Sequence, residues 1–378
     1  MILPGSTLGL LGGGQLGRMF TAAARTMGYD VIVLDPDPLS PAAQFATEHL
    51  CADYHDPSAL EQLAKRCAAV TTEFENPPAD SLAWLEQRVP VRPGANAVAI
   101  AQDRMREKTF FAENGFPVGP FAIIQNQADI EAVGRALQIP AILKTARFGY
   151  DGKGQAPVSS LEALREIFLS WRAVPCVLEQ LLPLKLEVSV VLARGEDGAI
   201  ATYPVAENRH ENGILDISIA PARIPAHLAA QAQDIAERLA AKLDYCGVLA
   251  VEFFVVENED GKAQLLINEI APRPHNSGHY TIDACLTSQF EQQVRALCGL
   301  PLGPTTQHTP AVMVNLLGDV WKNNVLASDK ILQDPNVKLH LYGKYEARPG
   351  RKMGHYTVLG TPIENALAVT LKIKQRLM

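Results

Sequence analysis

The 378-residue sequence contains no Walker A pattern and no Gly-x-Ser-x-Gly. Neither a P-loop nor a nucleophile elbow is therefore available to it. It has no Cys-x-x-Cys pair, and its six cysteines (Cys51, Cys67, Cys176, Cys246, Cys285, Cys298) are scattered. That pattern excludes a zinc ribbon and argues for a reduced, cytoplasmic protein over a disulfide framework. No apolar stretch approaches the ~18 residues of a membrane span. The opening Met1-Ile-Leu-Pro-Gly5 has no charged n-region, so no secretory leader is expected there. Neither sign of charge dominates: 34 Lys and Arg stand against 41 Asp and Glu, with a net charge of −7 and no run of one sign. A nucleic-acid face is not expected. Repeats and low-complexity tracts are absent too. What is present is an ordinary soluble composition, 47% hydrophobic and 20% charged, at a length suited to two or three domains.

Two glycine-rich turns stand out. In the first, an apolar strand Thr7–Leu11 runs into Gly12-Gly-Gly-Gln-Leu-Gly17. A helix follows, with Leu16, Met19, Phe20, Ala23 and Met27 at helical spacing, and then a second strand over Val31–Asp35. This is a β-α-β unit with a Gly-x-Gly-x-x-Gly turn and an acidic residue closing the second strand. It predicts a Rossmann-like fold, and taken alone it suits a dinucleotide. The same turn would hold any phosphate or anionic edge. A helix capped by Asp56-Pro57 and a strand over Ala69–Glu75 continue the pattern. Glu73 and Glu75 fall at that strand's carboxyl end, where such sheets place ligands, or are solvated loop carboxylates. Arg92-Pro-Gly94 marks a boundary, so residues 1–100 are expected to form one domain and residues 101–300 a second, opened by one helix over Ala95–Asn114.

The second turn is Gly149-Tyr-Asp-Gly-Lys-Gly154. It lies between the strand ending in Lys144 and a helix running to Leu169. Glycines let backbone N–H groups approach a ligand and lysines neutralise it, a chemistry suited to a polyphosphate. Further along, strands Gly247–Val256 and Gln264–Ile270 pair as a hairpin. Each carries one carboxylate among apolar residues, Glu252 and Glu269. A charge in such a strand is costly without a partner. The partner is Mg²⁺, which takes carboxylate oxygen and bridges phosphates, or else solvent or a nearby Arg. His275 and His279 have i, i+4 spacing, but Pro272, Pro274 and Gly278 make the segment a loop, so a helical zinc site is unsupported. A helix Ser288–Leu297 is expected to close the second domain. Residues 301–378 read as a small module whose Lys344 and Arg351-Lys352 are solvated turns or a clamp for a phosphate monoester.

Taken together, Lys144, the 149–155 loop, Glu179 to Leu182, Glu187, His210, Glu252 and Asn268-Glu269 follow one another as in the ATP-grasp superfamily. Within it the chain resembles the N5-carboxyaminoimidazole ribonucleotide synthase family, the ATP-dependent carboxylases of purine biosynthesis. Gly12-Gly-Gly-Gln-Leu-Gly-Arg-Met19, Thr72-Glu-Phe-Glu-Asn76, Ala271-Pro-Arg-Pro-His-Asn-Ser-Gly-His279 and Arg348-Pro-Gly-Arg-Lys-Met-Gly-His355 are similar to that family's signatures. The resemblance spans residues 8 to about 360 and implies an α/β and α+β architecture: an N-terminal Rossmann-like domain, an ATP-grasp domain of two lobes and a small C-terminal domain.

The resemblance also implies site roles. Arg104, Lys144, Gly149, Tyr150, Asp151, Gly152, Lys153, Gly154, Gln155, Glu179, Gln180, Leu181, Leu182, Glu187, His210, Asn268 and Glu269 would bind ATP. Glu252 and Glu269 would hold Mg²⁺. Glu73, Tyr150, Asp151, Lys153, Arg273, His275, Lys344 and Arg351 would bind aminoimidazole ribonucleotide. Asp151, Lys153, Arg273 and His275 would be catalytic, with Asp151 orienting or deprotonating the substrate amine and the glycine loop serving as a lid. The superfamily's common Glu-x-Asn pair appears here as Glu269-Ile-Ala271. The expected reaction joins bicarbonate to the ribonucleotide with release of ADP and phosphate, through carboxyphosphate. A homodimer is implied as well. The alternatives are a formate-using transformylase of the same superfamily, another ATP-grasp ligase joining a carboxylate to an amine, an NAD(P)-dependent oxidoreductase built on residues 12–17 and Asp35, and a non-catalytic nucleotide-binding regulator.

Overall fold

The computed structural model describes residues 1–149, 153–257 and 261–377. Its first sheet is parallel: β1 (Thr7–Leu11), β2 (Asp30–Leu34), β3 (Glu48–Leu50) and β4 (Ala69–Thr72), in the order β3-β2-β1-β4. The central strands β1 and β2 are near-continuous apolar runs because both faces are covered. Helices Pro57–Arg66 and Ala79–Glu86 fill one side. The first of these starts as the sequence predicts, with Asp56 Oδ1 accepting from Ala59 N at 2.9 Å. Helix Gln15–Thr26 fills the other side.

One expectation is widened here and another changes. Helix Gln289–Cys298 packs Phe290, Val294 and Leu297 into this first core, alongside Leu16 and Phe20, and its Gln293 Oε1 also accepts from Val248 N at 2.6 Å, so it joins the N-terminal sheet to the strands of the second region. The Ala95–Asn114 stretch is two helices, Ala95–Ala101 and Arg104–Glu113. Asp103 breaks it: its carboxylate accepts from Met105 N at 3.0 Å and Arg106 N at 3.4 Å, a cap that starts the second helix afresh.

A small antiparallel sheet forms the next layer: β5 (Phe121–Ile124), β6 (Ala141–Thr145), β7 (Gln155–Val158) and β8 (Cys176–Gln180), in the order β5-β8-β6-β7. Helices Gln127–Ala136 and Leu161–Ser170 cover it.

The remaining strands make one large antiparallel sheet: β9 (Leu184–Arg194), β10 (Ile200–Thr202), β11 (Ala206–Glu211), β12 (Ile214–Ala220), β13 (Gly247–Glu257), β14 (Ala263–Ala271), β15 (Ala311–Leu317), β16 (Val337–Leu341) and β17 (Lys352–Leu359). Their order is β14-β13-β9-β11-β12-β15-β17-β16, with β10 on the flank of β9. The last 80 residues therefore extend the sheet of the middle region, through the pairing of β12 with β15. The hairpin β11–β12 makes that join, and the sequence pattern predicts no element there. Helix Ala226–Lys242 packs on β9 and β13, and helix Ile363–Leu377 packs on β15 and β17. No helix among the described residues is long and apolar enough to cross a membrane.

Candidate active site

The Gly12–Gly17 turn follows β1, and Glu73 follows β4, the neighbouring strand. Leu11 pairs with Thr72, so Glu73 stands opposite Gly12. A Cβ on Gly12, whose φ is +101°, would lie 2.5 Å from Glu73 Cγ, so only glycine fits. Glu73 accepts from Gly17 N at 2.5 Å and from Gly14 N. Asp35 Oδ2 accepts from Gly13 N at 2.6 Å and from Tyr54 Oη at 2.7 Å. The amides that would cradle a pyrophosphate are thus taken by the chain's own carboxylates. Burial raises the Glu73 pKa, with the Gly17 and Gly14 amides opposing it. Glu75, whose position also suits a solvated carboxylate, accepts from Arg273 Nε at 2.7 Å. Burial would raise it, but Arg273 outweighs burial and its pKa is lowered.

The second turn leaves its cations near a cleft. Lys144 and Thr145 end β6, and Gln155 begins β7, so the loop is a hairpin connection. Gly154 has φ +70°, and a Cβ there would meet Thr145 Oγ1 at 2.6 Å. Gly149 C=O accepts from Arg104 Nη1 and Nη2, each at 3.4 Å. Tyr150, Asp151 and Gly152 lie outside the described residues. Lys153 and Gln155 are exposed at the loop's far side.

On β8, Glu179 is flanked by two cations: Lys144 Nζ lies 3.1 Å from Oε1 and Lys108 Nζ 3.2 Å from Oε2. Burial would raise its pKa, yet Lys108 and Lys144 bring it down to about 2. Gln180 ends the strand. Leu181 is exposed and Leu182 half-buried, with Leu181 N donating to Pro140 C=O at 3.0 Å.

The large sheet supplies the acidic wall. The two strands pair as the sequence predicts, and the structure adds that Glu252 on β13 faces Glu269 on β14 in register. Glu187 on β9 lies beside them, and His210 on β11 donates from Nδ1 to Glu187 Oε2 at 2.6 Å. Burial would lower the His210 pKa, but the Glu187 carboxylate outweighs it and the pKa is raised. Burial, followed by the charge of Glu269, pushes Glu252 up to about 7. His275 Nδ1 accepts from Ser277 N at 3.3 Å. That leaves Nε2–H to donate to Glu252 Oε1 at 3.1 Å. Burial, then Arg273 and Lys352, drives the His275 pKa well below its ordinary value.

Donor atoms of Glu187, His210 and Glu252 lie within 4.8 Å of one another, a set sized for a cation. Glu269 is not in that trio; its Oε2 lies 3.3 Å from Arg104 Nη2. The chemistry still fits a hard divalent ion. Glu252, Glu269 and Glu187 bring carboxylate oxygen to one wall, and the cost of crowding them is visible in the raised pKa of Glu252. Asn268 Oδ1 is buried and has no hydrogen-bond partner among the described residues, which suits a bound ligand.

Two further side chains are not marked by the sequence pattern. Glu107 and Lys108, 2% and 3% exposed, lie under this site. In the sequence they belong to the charge-rich stretch Gln102–Lys108 inside the expected Ala95–Asn114 helix.

The C-terminal turn meets the N-terminal domain. Gln44 Nε2 donates to Gly343 C=O at 3.1 Å. Lys344 Nζ donates to Lys352 C=O at 2.8 Å, and Arg351 Nη1 to Glu346 C=O at 2.8 Å. The structure thus gathers Arg104, Lys144, Glu179, Asn268 and Glu269 around one cleft, and Glu187, His210, Glu252 and His275 along its wall. Lys344 and Arg351 sit on a separate turn.

Three family models match consecutive stretches: a ribonucleotide synthetase preATP-grasp domain over residues 5–102, an ATP-grasp domain over 109–290, and a phosphoribosylaminoimidazole carboxylase C-terminal domain over 311–369. The N5-carboxyaminoimidazole ribonucleotide synthase of Bacillus subtilis (strain 168) is 43% identical over 366 residues, covering 96% of this chain and 93% of the relative. A crystal structure of an N5-carboxyaminoimidazole ribonucleotide synthetase in complex with ADP superimposes with a TM-score of 0.92 at 44% identity, covering 99% of this chain and 97% of the other. The Aspergillus clavatus enzyme, in complex with ADP and 5-aminoimidazole ribonucleotide, gives 0.90 at 32% identity, with 98% of each chain covered.

Proposed function

The chain belongs to the N5-carboxyaminoimidazole ribonucleotide synthase family of ATP-grasp enzymes, and from that premise we propose that it carboxylates 5-aminoimidazole ribonucleotide with bicarbonate, converting ATP to ADP and phosphate. The observation that carries this reading is one cleft in which Lys144, beside Glu179, and Arg104, bonded to Gly149 C=O and 3.3 Å from Glu269 Oε2, stand with the carboxylates of Glu252 and Glu269, paired in register. Such a cleft accepts a polyphosphate and the cation that accompanies it.

The roles proposed are those that the family resemblance implies. Lys144, Arg104 and the 149–155 loop bind the phosphates, while Glu179 to Leu182, Glu187, His210 and Asn268 hold the rest of the nucleotide. Glu252 and Glu269 would hold Mg²⁺, which would offset charge on the phosphate oxygens. Bicarbonate attacks the γ-phosphorus, ADP leaves, and carboxyphosphate results. The ribonucleotide's exocyclic amine then attacks the carboxyl carbon; phosphate leaves and the amine loses a proton. Asp151 and Lys153, on the loop, serve that step together with Arg273 and His275. Arg273, fixed by Glu75, and His275, fixed by Ser277 and Glu252, are held without freedom to rotate, and pre-set geometry is what such a transfer needs. Glu73 shapes the ribonucleotide side through the turn it locks, and Lys344 and Arg351 take the 5′-phosphate. Carboxyphosphate must be kept from water, so the glycine loop closes over it. A homodimer is proposed from the family, with sedimentation as its test. A reduced cytoplasmic setting agrees with six free cysteines.

The test is ADP release with Mg-ATP and bicarbonate, with and without 5-aminoimidazole ribonucleotide. Release that requires the ribonucleotide, with bicarbonate carbon in an acid-labile product, is the expected result. Release with formate and glycinamide ribonucleotide instead overturns it.

A further inference from the structure

The pairing of β13 with β14 slips by one residue at the acidic wall. Glu252 faces Glu269, but the next residue, Phe253, faces Ile267, so Asn268 is an extra residue in β14. Successive side chains of a regular strand point to opposite faces. A bulge re-aims them and leaves backbone groups without ladder partners. Here Asn268 and Glu269 are consecutive and both half-buried, between buried Ile267 and Ile270.

Helix Arg104–Glu113 meets this irregularity with one face. Arg104, Glu107 and Lys108 stand at i, i+3 and i+4, which puts them side by side. Lys108 Nζ donates to Asn268 C=O at 2.8 Å. Glu107 Oε1 accepts from Ile270 N at 2.8 Å. Arg104 Nη2 lies 3.3 Å from Glu269 Oε2. Lys108 also reaches Glu179 on β8 at 3.2 Å, so one ammonium ties both lobes of the cleft. Burying a carboxyl and an ammonium side by side in a helix is costly unless each is used. Each is used on the backbone of the bulge.

We propose that Glu107 and Lys108 are positioning residues: by binding the backbone on both sides of Glu269 they fix the bulge at Asn268 and so aim Glu269 and Asn268 into the nucleotide cleft. This rests on the reading of Glu269 as a Mg²⁺ ligand. Both act on Glu269 through the main chain of β14.

The test compares wild type with Glu107→Leu, Glu107→Gln and Lys108→Met. ADP binding is measured by calorimetry in EDTA and in excess Mg²⁺, and the readout is the ratio of the two affinities. Loss of a group that orients a ligand carboxylate weakens metal binding roughly 10–100-fold. Glu107→Leu cannot accept from Ile270 N, so its ratio should fall by about that factor while ADP affinity in EDTA is kept. Glu107→Gln keeps an acceptor oxygen and should keep the wild-type ratio. Lys108→Met should lower the ratio too, and it decides the question if Glu107→Leu does not fold. A ratio equal to wild type in folded Glu107→Leu or Lys108→Met overturns the proposal, as does a collapse of the ratio in Glu107→Gln. A wild-type ratio of one overturns the metal reading itself, a distinguishable result.

Discussion

Two glycine turns at strand ends, residues 12–17 and 149–154, look alike in sequence and differ in what surrounds them. At the first, three amides of the turn meet carboxylates of the same chain, Glu73 on Gly14 and Gly17, Asp35 on Gly13. At the second, Lys144 and Arg104 face a wall of carboxylates, and Glu252 is raised to about 7 by burial and by Glu269. One site is electrostatically closed and the other is short of positive charge. Glycine supplies an opening for backbone donors; whether a ligand enters depends on whether the protein has already filled it. A nicotinamide dinucleotide therefore finds no free cradle at residues 12–17, and titration of the protein with NADH should leave the cofactor's fluorescence unchanged.

The largest way to break the contrast is to remove acid from the open site. Glu252→Ala deletes a proposed Mg²⁺ carboxylate and should lower ribonucleotide-dependent ADP release by roughly 10²–10³-fold, the scale of losing a group that stabilises the transition-state charge. Steady-state rates across a Mg²⁺ titration measure it. Next comes Lys144→Met. It takes one of two cations from Glu179, and a lost charge-assisted hydrogen bond is worth about 1.5–3 kcal/mol. ATP affinity should fall by about 10–100-fold, measured by calorimetry, with less change in the affinity for the ribonucleotide.

The hairpin strands and their two carboxylates were legible in the sequence because a buried strand bearing one carboxylate is an anomaly that demands a partner; the facing of Glu252 and Glu269 was not. The β-α-β start was legible from its apolar runs. The β11–β12 hairpin was not: Ala206-Glu-Asn-Arg-His-Glu211 is polar in five of six positions, and its burial comes from neighbours in the sheet. Helix Gln289–Cys298 was legible as a helix, but its partner lies some 270 residues earlier, at Gln15–Thr26. Local periodicity carries no record of such a contact. Asp103 does carry a usable signal, an N-cap residue type inside a stretch whose periodicity suggests one continuous helix. Glu107 and Lys108 were hidden inside a charge-rich stretch of the expected helix, and only the fold reveals that β14 presents them with a bulge. Among the site residues, the family signatures placed Glu187 and His210 on the nucleotide. The structure adds that both stand within one cation-sized group with Glu252.

A smaller effect sharpens the comparison through pH. Glu179 has a folded-state pKa of about 2, below its ordinary value of 4.5. A depressed acid stabilises the fold above its unfolded pKa and loses that contribution as pH falls through the folded value. The contribution is of order 3 kcal/mol at neutral pH. It should fade between about pH 5 and pH 2, and urea midpoints of Glu179→Gln should be less steep over that window than those of the wild type.

The smallest change belongs to the closed turn. Glu73→Gln keeps one acceptor oxygen but turns an NH₂ group toward the second amide, so one N–H of Gly14 or Gly17 loses its partner in a buried place. An unsatisfied buried donor costs about 1–3 kcal/mol. The urea midpoint should drop accordingly, while the affinity for Mg-ATP stays at the wild-type level because the cleft of Lys144 and Glu252 is untouched. A fall in Mg-ATP affinity as large as that of Lys144→Met would mean that the two turns form one site. The protein would then have folded its first glycine turn into the nucleotide cleft instead of sealing it away.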